Sequence, residues 1–357
     1  DFIVRGEGEI TFKELVTELE KPVPDLGSIQ GLSYRQGQGW MHNPARPLQD
    51  LSQINLPDRS ARVAGGFHFI GEPMDVAETS RGCPYNCKFC SITNMYGHTF
   101  RAYPTERIVN DLKNIRESGV KSVFFIDDNI TYNIPHLRAV CQAIIDNKLD
   151  DLSYMTQVSA VGIAQNPEVA AEMRRANFRI VLVGFETMDP GALKGVKKPT
   201  SPEINQRAAA LLRQHKMGMV AACIVGYPDD TGESIARQYK LIRKLRPDAI
   251  IAQYMTPYPK TRMREEMSAE GLIVNLDDYS CYDGFTCNVQ TRHLSREELY
   301  RSLKKAVLRS YFDLSLMTDN HLLKYHKKGM LKASLKSMIM NIYNVLSSRQ
   351  KQWRFDI

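Results

Sequence analysis

The stretch Arg81-Gly-Cys-Pro-Tyr-Asn-Cys-Lys-Phe-Cys90 places three cysteines, Cys83, Cys87 and Cys90, in one short segment. Their C-x3-C-x2-C spacing lets a single loop reach three corners of a [4Fe-4S] cubane, in which each iron needs a ligand. The fourth iron would then have no protein ligand and could hold a substrate or a cofactor. The stretch therefore predicts an iron–sulfur centre with one open iron.

Two other interpretations of the three cysteines stay open at this level. Three cysteines can join a histidine in a structural zinc site, and His98 follows a few residues downstream. The cysteines could also hold a cluster that only carries electrons. The remaining cysteines offer no second centre, because Cys141 and Cys223 fall in apolar segments as ordinary core thiols, and Cys281 and Cys287 have no third ligand nearby.

From residue 74 onward, apolar runs alternate with stretches of helical periodicity. This alternation predicts parallel strand–helix–strand units. Their regular spacing favours a partial (β/α)6 TIM-like barrel over residues 74–265, with a doubly wound sheet as the alternative fold. The predicted strands are 74–79, 120–126, 152–158, 178–185, 219–225 and 249–255. The predicted helices between them are 105–116, 135–145, 167–176, 202–215 and 233–245.

Polar or glycine-containing segments stand at the ends of these apolar strands. In barrel enzymes the catalytic groups lie at the carboxyl ends of the strands, so we expect a site there. The strand-end residues that we single out are Asp127, Asp128, Gln157, Glu186, Gly226 and Pro228.

The cysteine spacing, with an aromatic residue before the last cysteine, resembles the signature of the radical S-adenosylmethionine (SAM) enzymes. Together with the strand ends, the resemblance covers most of residues 74–265. It implies that Cys83, Cys87 and Cys90 bind a [4Fe-4S] cluster whose open iron chelates SAM. Electron donation would cleave SAM to a 5′-deoxyadenosyl radical, so a low-potential donor of the flavodoxin or ferredoxin type is an expected partner.

The resemblance also implies SAM contacts near the cysteines. Phe89 matches an aromatic residue that packs near the adenine in the family. Asp127 and Asp128 fall where the family contacts the SAM amino group, although many members have Gly-Gly-Glu there and this sequence departs from them. Capping of a helix is the alternative role for either aspartate.

Three later strand ends complete the implied SAM site. Glu186 matches a carboxylate that hydrogen-bonds the ribose hydroxyls or the methionine amino group, since a carboxylate can accept both hydrogens of a diol. A buried salt bridge is its alternative role. Gly226 and Pro228 match a turn that passes beside the adenine, where glycine allows close approach. Gln157 is included by its position alone.

The run Val4-Arg-Gly-Glu-Gly-Glu9 is similar to the end of the cobalamin-binding domain that precedes the barrel in one group of radical SAM enzymes. We interpret residues 1–73 as a remnant of such a domain plus a connector. The Asp-x-His-x-x-Gly motif of that domain does not occur in the sequence, so cobalamin is expected only in the intact protein. This group implies methyl transfer or radical cyclisation on a lipid, tetrapyrrole or secondary metabolite.

Residues 266–357 are predicted to form a helical accessory region with helices at 296–311 and 331–346. The second of these helices carries an apolar stripe of Leu335, Met338, Ile342 and Val345. No acidic residue lies between Asp319 and Asp356, so this end is strongly basic. Such a helix can pack on its own domain, or it can make peripheral contact with a membrane.

The composition limits the class of protein. The net charge of +7 is concentrated at the C-terminal end, and nothing else in the sequence suggests binding to nucleic acid. No apolar run approaches the ~18 residues that a membrane span needs. Three cysteines that must remain free thiols favour a reducing compartment. We therefore expect a cytoplasmic enzyme with a small-molecule or lipid-like substrate.

Overall fold

A seven-stranded sheet forms the centre of the fold in the computed structural model, which describes residues 1–63, 65–69, 72–310, 320–322, 335, 339 and 342. Six strands are parallel and lie side by side in chain order. A short seventh strand, His68–Phe69, pairs antiparallel with the first of the six. The parallel strands are Glu72–Ala77, Ser122–Phe125, Ser153–Val158, Phe178–Glu186, Gly218–Val225 and Ala249–Tyr254.

The strand order confirms the partial barrel. A doubly wound sheet reverses its strand order at a switch point, whereas these six strands follow one another without reversal. The segments between them contain helices, as the alternation in the sequence predicted. The α-helices of this barrel region are Ile92–Tyr96, Thr105–Glu117, Ile134–Asp146, Ala160–Gln165, Val169–Arg175, Pro190–Gly195, Pro202–Gln214, Gly232–Lys244 and Arg262–Ala269.

Apolar side chains on the outer face of the sheet pack against the helices to form the main core. Phe125, Tyr154 and Phe178 come from three neighbouring strands and lie in contact with one another, with ring centroids 5.3–5.8 Å apart. All three side chains are fully buried. Their alternation with inward-facing residues is the two-residue period that a strand imposes.

A second apolar cluster lies on the inner face of the curved sheet, near the amino ends of the strands. Leu322 is fully buried there against Ile180 and Val220. Asp248 holds this segment in place, because its carboxylate accepts hydrogen bonds from the backbone N–H groups of Met219 at 2.6 Å and His321 at 2.5 Å. Residues from beyond the predicted barrel region therefore close its amino end.

The N-terminal segment has its own small core. It consists of the helix Gly8–Leu19 and a three-stranded sheet, Phe2–Val4, Leu32–Gln36 and Gly39–His42, in which both pairings are antiparallel. Leu15, Ile29 and Leu32 are buried between them. This small core lies within residues 1–73, which the sequence analysis interprets as a domain remnant plus a connector.

The helix predicted at 296–311 is present as Arg296–Ser310 and packs against the helix Gly232–Lys244. Its Leu299 and Leu303 belong to the main core. The predicted helix at 331–346 lies largely outside the described residues; Leu335 and Ile342 of its stripe are described, and both are exposed. The domain boundaries at 73 and 265 stay predictions. Among the described residues, no helix is both long and apolar enough to cross a bilayer.

Candidate active site

The cysteine loop lies between the two strands of a short antiparallel pair, Ser80–Arg81 and Arg101–Ala102, just beyond the carboxyl end of the first parallel strand. Gly82 adopts a left-handed conformation with φ of +90° and lies against the carbonyl group of Thr99, so no side chain fits there. Its N–H donates a hydrogen bond to the Asp128 carboxylate at 2.8 Å. Asp128 follows the second parallel strand, so this hydrogen bond fixes the direction in which the cysteine loop leaves the barrel.

Backbone hydrogen bonds hold the middle of the loop. The N–H of Lys88 donates to the carbonyl of Val196, and the carbonyl of Lys88 accepts from the N–H of Met263, both at 3.0 Å. The Lys88 ammonium also pairs with Glu266 at 2.8 Å. The loop between Cys87 and Cys90 is thus held on both sides, which limits the entropy lost when a ligand binds.

The N-terminal segment contacts the base of this loop through one buried carboxylate. Glu7 pairs with Arg101 at 2.7 Å and with Arg81 at 3.1 Å. Burial alone would raise the pKa of Glu7, but the hydrogen bonds from Arg101, the Gln49 N–H and Arg81 together outweigh that effect and lower it. Arg81 immediately precedes the loop, so the N-terminal segment and the cysteine loop share one ionic network.

All three cysteines of the loop are free thiols that line one cavity of about 600 Å³. Burial raises the pKa of each thiol, that of Cys87 to about 12. The thiolates that iron requires would therefore form only beside a positive centre. Three soft donors of this kind on a fixed loop fit an iron–sulfur cluster, which would supply that positive centre.

Glu186 and Lys198 form an ion pair in the same cavity. Their Oε1 and Nζ atoms lie 2.6 Å apart, and the side chains are only 11% and 14% exposed. Glu186 ends the fourth strand in a left-handed conformation with φ of +59°, next to an irregularity in the strand register. Burial would lower the pKa of Lys198, but attraction to the Glu186 carboxylate and, when it is ionised, to the Cys87 thiolate outweighs that effect and raises it.

The two aspartates after the second strand have different surroundings. Asp128 lines the cavity, and burial raises its pKa. Asp127 is fully buried behind the loop and accepts hydrogen bonds from the Thr79 hydroxyl at 2.6 Å and the Thr79 N–H at 3.1 Å. Burial raises the pKa of Asp127 to about 6. Its carboxylate therefore holds the end of the first strand and does not face the cavity.

The structure brings Phe89 and Gln157 into the cavity, together with the three cysteines, Asp128 and Glu186. It does not bring Gly226 there. The N–H of Gly226 donates to the Asp230 carboxylate at 2.8 Å, and its Cα packs toward Leu299 and Val289. Pro228 lines a neighbouring cavity of about 420 Å³.

Several residues that line the cavity were not singled out from the sequence. Lys198 is the most significant, since the run Val196-Lys-Lys-Pro-Thr200 gives no reason to prefer it over Lys197. Lys197 is exposed, whereas Lys198 points to Glu186. The other lining residues that sequence reasoning missed include Tyr85, Ser159, Gln253, Met255, Tyr258 and Phe285.

Comparison with known proteins agrees with this geometry. Residues 77–242 match the model of the radical SAM superfamily. The chain is 32% identical over 313 residues to an uncharacterized methyltransferase of Pyrococcus horikoshii, an alignment that spans 87% of this chain and 67% of that protein. It is 28% identical over 311 residues to the hopanoid C-3 methylase of Methylococcus capsulatus, spanning 85% of this chain and 57% of that protein.

Two further comparisons concern a cyclase and a solved structure. The chain is 26% identical over 278 residues to the anaerobic magnesium-protoporphyrin IX monomethyl ester cyclase of Synechocystis, spanning 78% of this chain and 55% of that protein. Its fold matches the radical SAM methyltransferase TsrM from Kitasatospora setae, solved with cobalamin and a [4Fe-4S] cluster bound, with a TM-score of 0.66 and 20% identity. That match covers 85% of this chain and 62% of TsrM.

The chain belongs to the radical SAM superfamily. It spans between about half and two thirds of the length of these three curated relatives. Members of this superfamily use a [4Fe-4S] cluster and SAM, so the zinc site and the simple electron carrier are set aside.

Proposed function

We propose that this chain is the catalytic barrel of an enzyme that cleaves SAM at a cluster held by Cys83, Cys87 and Cys90. The observation that carries the proposal is the convergence of three free thiols, on one fixed loop, with charged strand ends around a single cavity. When bound, the cluster supplies the electron that splits SAM into methionine and a 5′-deoxyadenosyl radical. The protein contributes positioning and electrostatics.

The side chains around the cavity complement the polar groups of SAM. Asp128 and Glu186 offer carboxylates to an ammonium group or a ribose diol, and Gln157 offers a carboxamide. Lys198 is the one lysine or arginine among the described lining residues, and its ammonium can pair with the SAM carboxylate. Phe89 supplies an apolar surface for a flat base. These roles are proposals.

We infer that the overall reaction is a methyl transfer or a radical cyclisation. The support comes from the relatives, which are named as methyltransferases, a methylase and a cyclase. A lipid, a tetrapyrrole or a secondary metabolite is the proposed class of substrate, and cobalamin is a proposed cofactor of the intact protein. The solved relatives TsrM and OxsB were both determined with cobalamin bound.

The setting of the reaction follows from its chemistry. A low-potential donor of the flavodoxin or ferredoxin type would supply the electron, in a reducing cytoplasm where the thiols stay free. Peripheral contact with a membrane through the basic C-terminal segment remains part of the proposal, supported by the exposed Leu335 and Ile342.

Anaerobic reconstitution with iron and sulfide tests the proposed function. We expect about four irons per chain, and reductant plus SAM should give 5′-deoxyadenosine. Alanine at Cys83, Cys87 or Cys90 should abolish this product, whereas alanine at Cys141 or Cys223, which are buried in the core, should leave the iron content unchanged. Iron binding that survives all three loop substitutions would contradict the proposal.

A further inference from the structure

The wall of the cavity that is built by the fifth and sixth strands carries no charge in the described part of the chain. The fifth strand contributes Ala222 and Ile224, and the sixth contributes Ile251 and Gln253. The end of the sixth strand and the segments that follow add only neutral residues: Tyr254, Met255, Thr256, Tyr258, Gly284 and Phe285.

The charged residues that line the rest of the cavity, Asp128, Glu186 and Lys198, are those that the proposed function assigns to SAM. Glu186 and Lys198 also pair with each other at 2.6 Å, and the Asp128 carboxylate accepts the Gly82 N–H at 2.8 Å. A charged group that approached the fifth and sixth strands would lose its water and find no counterion among the described residues there. Burial of an unpaired charge is strongly unfavourable, whereas a neutral polar group needs only one hydrogen-bond partner.

Gln253 is placed to be that partner. Its side chain lines the cavity, and its carboxamide makes no hydrogen bond to another described residue. The amide nitrogen lies 2.6 Å from the position that a Cβ of Gly284 would occupy, so the carboxamide rests directly on the Gly284 backbone. The carbonyl of Gly284 in turn accepts a hydrogen bond from the N–H of Tyr254 at 2.8 Å. This bond joins the segment around Gly284 to the end of the sixth strand.

We propose that the substrate of this enzyme is a largely apolar molecule that presents a neutral hydrogen-bonding group, such as an ester, a ketone or a hydroxyl, to Gln253. A carboxamide can both donate and accept, so it serves each of these groups. Gly284 is the positioning residue, because its missing side chain leaves the space in which the carboxamide lies. The inference rests on the proposed function, since it assigns the substrate of the same cavity.

Three naphthalene probes of similar shape test the inference. They are methyl 2-naphthoate, the ionised 2-naphthoate and 2-ethylnaphthalene, each measured by equilibrium dialysis against the reconstituted chain with SAM present. We expect the ester to bind at least tenfold more tightly than the carboxylate. Equal binding of the two, or tighter binding of the carboxylate, would overturn the proposal.

Two variants show whether Gln253 is responsible. Gln253→Leu removes the carboxamide at similar size, and Gly284→Ala displaces it without removing it. Each should weaken ester binding by about three- to tenfold, the effect of one neutral hydrogen bond, and Gln253→Leu should leave 2-ethylnaphthalene binding unchanged. Gln142→Leu is the matched control, because Gln142 is exposed and bonds only Asp146.

The outcomes separate this inference from the proposed function. If the wild-type chain gives no 5′-deoxyadenosine from SAM, the proposed function fails whatever the probes do. If SAM is cleaved but Gln253→Leu binds the ester as wild type does, the assignment of Gln253 is wrong. Circular dichroism of Gly284→Ala shows whether that variant is folded, and Gln253→Leu decides the matter if it is not.

Discussion

Replacing Gly82 with alanine should prevent the cysteine loop from holding its cluster while leaving the barrel folded. Gly82 lies directly before Cys83, with φ of +90°. An alanine Cβ at this position would overlap the carbonyl oxygen of Thr99, which is backbone and cannot move aside as a flexible side chain can. The antiparallel pair of short strands on either side of the loop would have to open, and Cys83 would be displaced with it.

Two contributions set the size of the effect. A left-handed conformation costs an L-residue about 1–2 kcal/mol relative to glycine. Overpacking against fixed atoms adds about 1–3 kcal/mol. If the loop relieves this strain by leaving its cluster-binding conformation, a total of about 3 kcal/mol corresponds to a more than hundredfold loss of affinity for the cluster.

Iron per chain after anaerobic reconstitution is the assay, and Gly119→Ala is the matched control. Gly119 also has a positive φ, +85°, but nothing lies within 4 Å of the position that its Cβ would occupy. The control bears the conformational cost without the overlap and should retain most of its iron. Wild-type iron content in Gly82→Ala, or equal loss in both variants, would refute the reasoning.

Three further outcomes are expected. Lys198→Met should weaken equilibrium binding of SAM by about tenfold or more, while exposed Lys197→Met should not; equal affinities would exclude a role for the buried ammonium. The pKa of Asp127 is raised to about 6 in the folded protein, so the folded state binds this proton more tightly than the unfolded state. The free energy of unfolding of wild type relative to Asp127→Asn should therefore fall, by about 2 kcal/mol, as the pH rises from 4 to 6; parallel pH curves in denaturant titrations would contradict this. Leu322→Ala should lower the free energy of unfolding by about 2–5 kcal/mol, because it leaves a cavity against Ile180 and Val220; a loss below about 1 kcal/mol would show that this segment does not close the barrel.

Local patterns were sufficient for the six parallel strands and for five helices of the barrel region. They did not reveal the helices Ile92–Tyr96, Ala160–Gln165, Pro190–Gly195 and Arg262–Ala269. The helix Ala160–Gln165 is short and contains a glycine, which lowers helix propensity. The structure stabilises it by other means: Ser159 caps it by accepting the Gly162 N–H at 3.1 Å, and the missing side chain of Gly162 lets Thr131 pack closely. Thr131 comes from a different part of the chain, so no local pattern could reveal this contact.

The sequence by itself indicated the barrel, which the structure confirms, and the three cysteines that we propose as cluster ligands. Alternation of strands and helices is a local property, and Cys83, Cys87 and Cys90 act through their spacing in one loop. Only the tertiary structure decided which other side chains meet them. It directed Asp128 rather than Asp127 into the cavity, paired Lys198 with Glu186, and laid Gln253 on Gly284. These contacts depend on how the curled sheet and its loops pack, and packing joins residues that are distant in the chain.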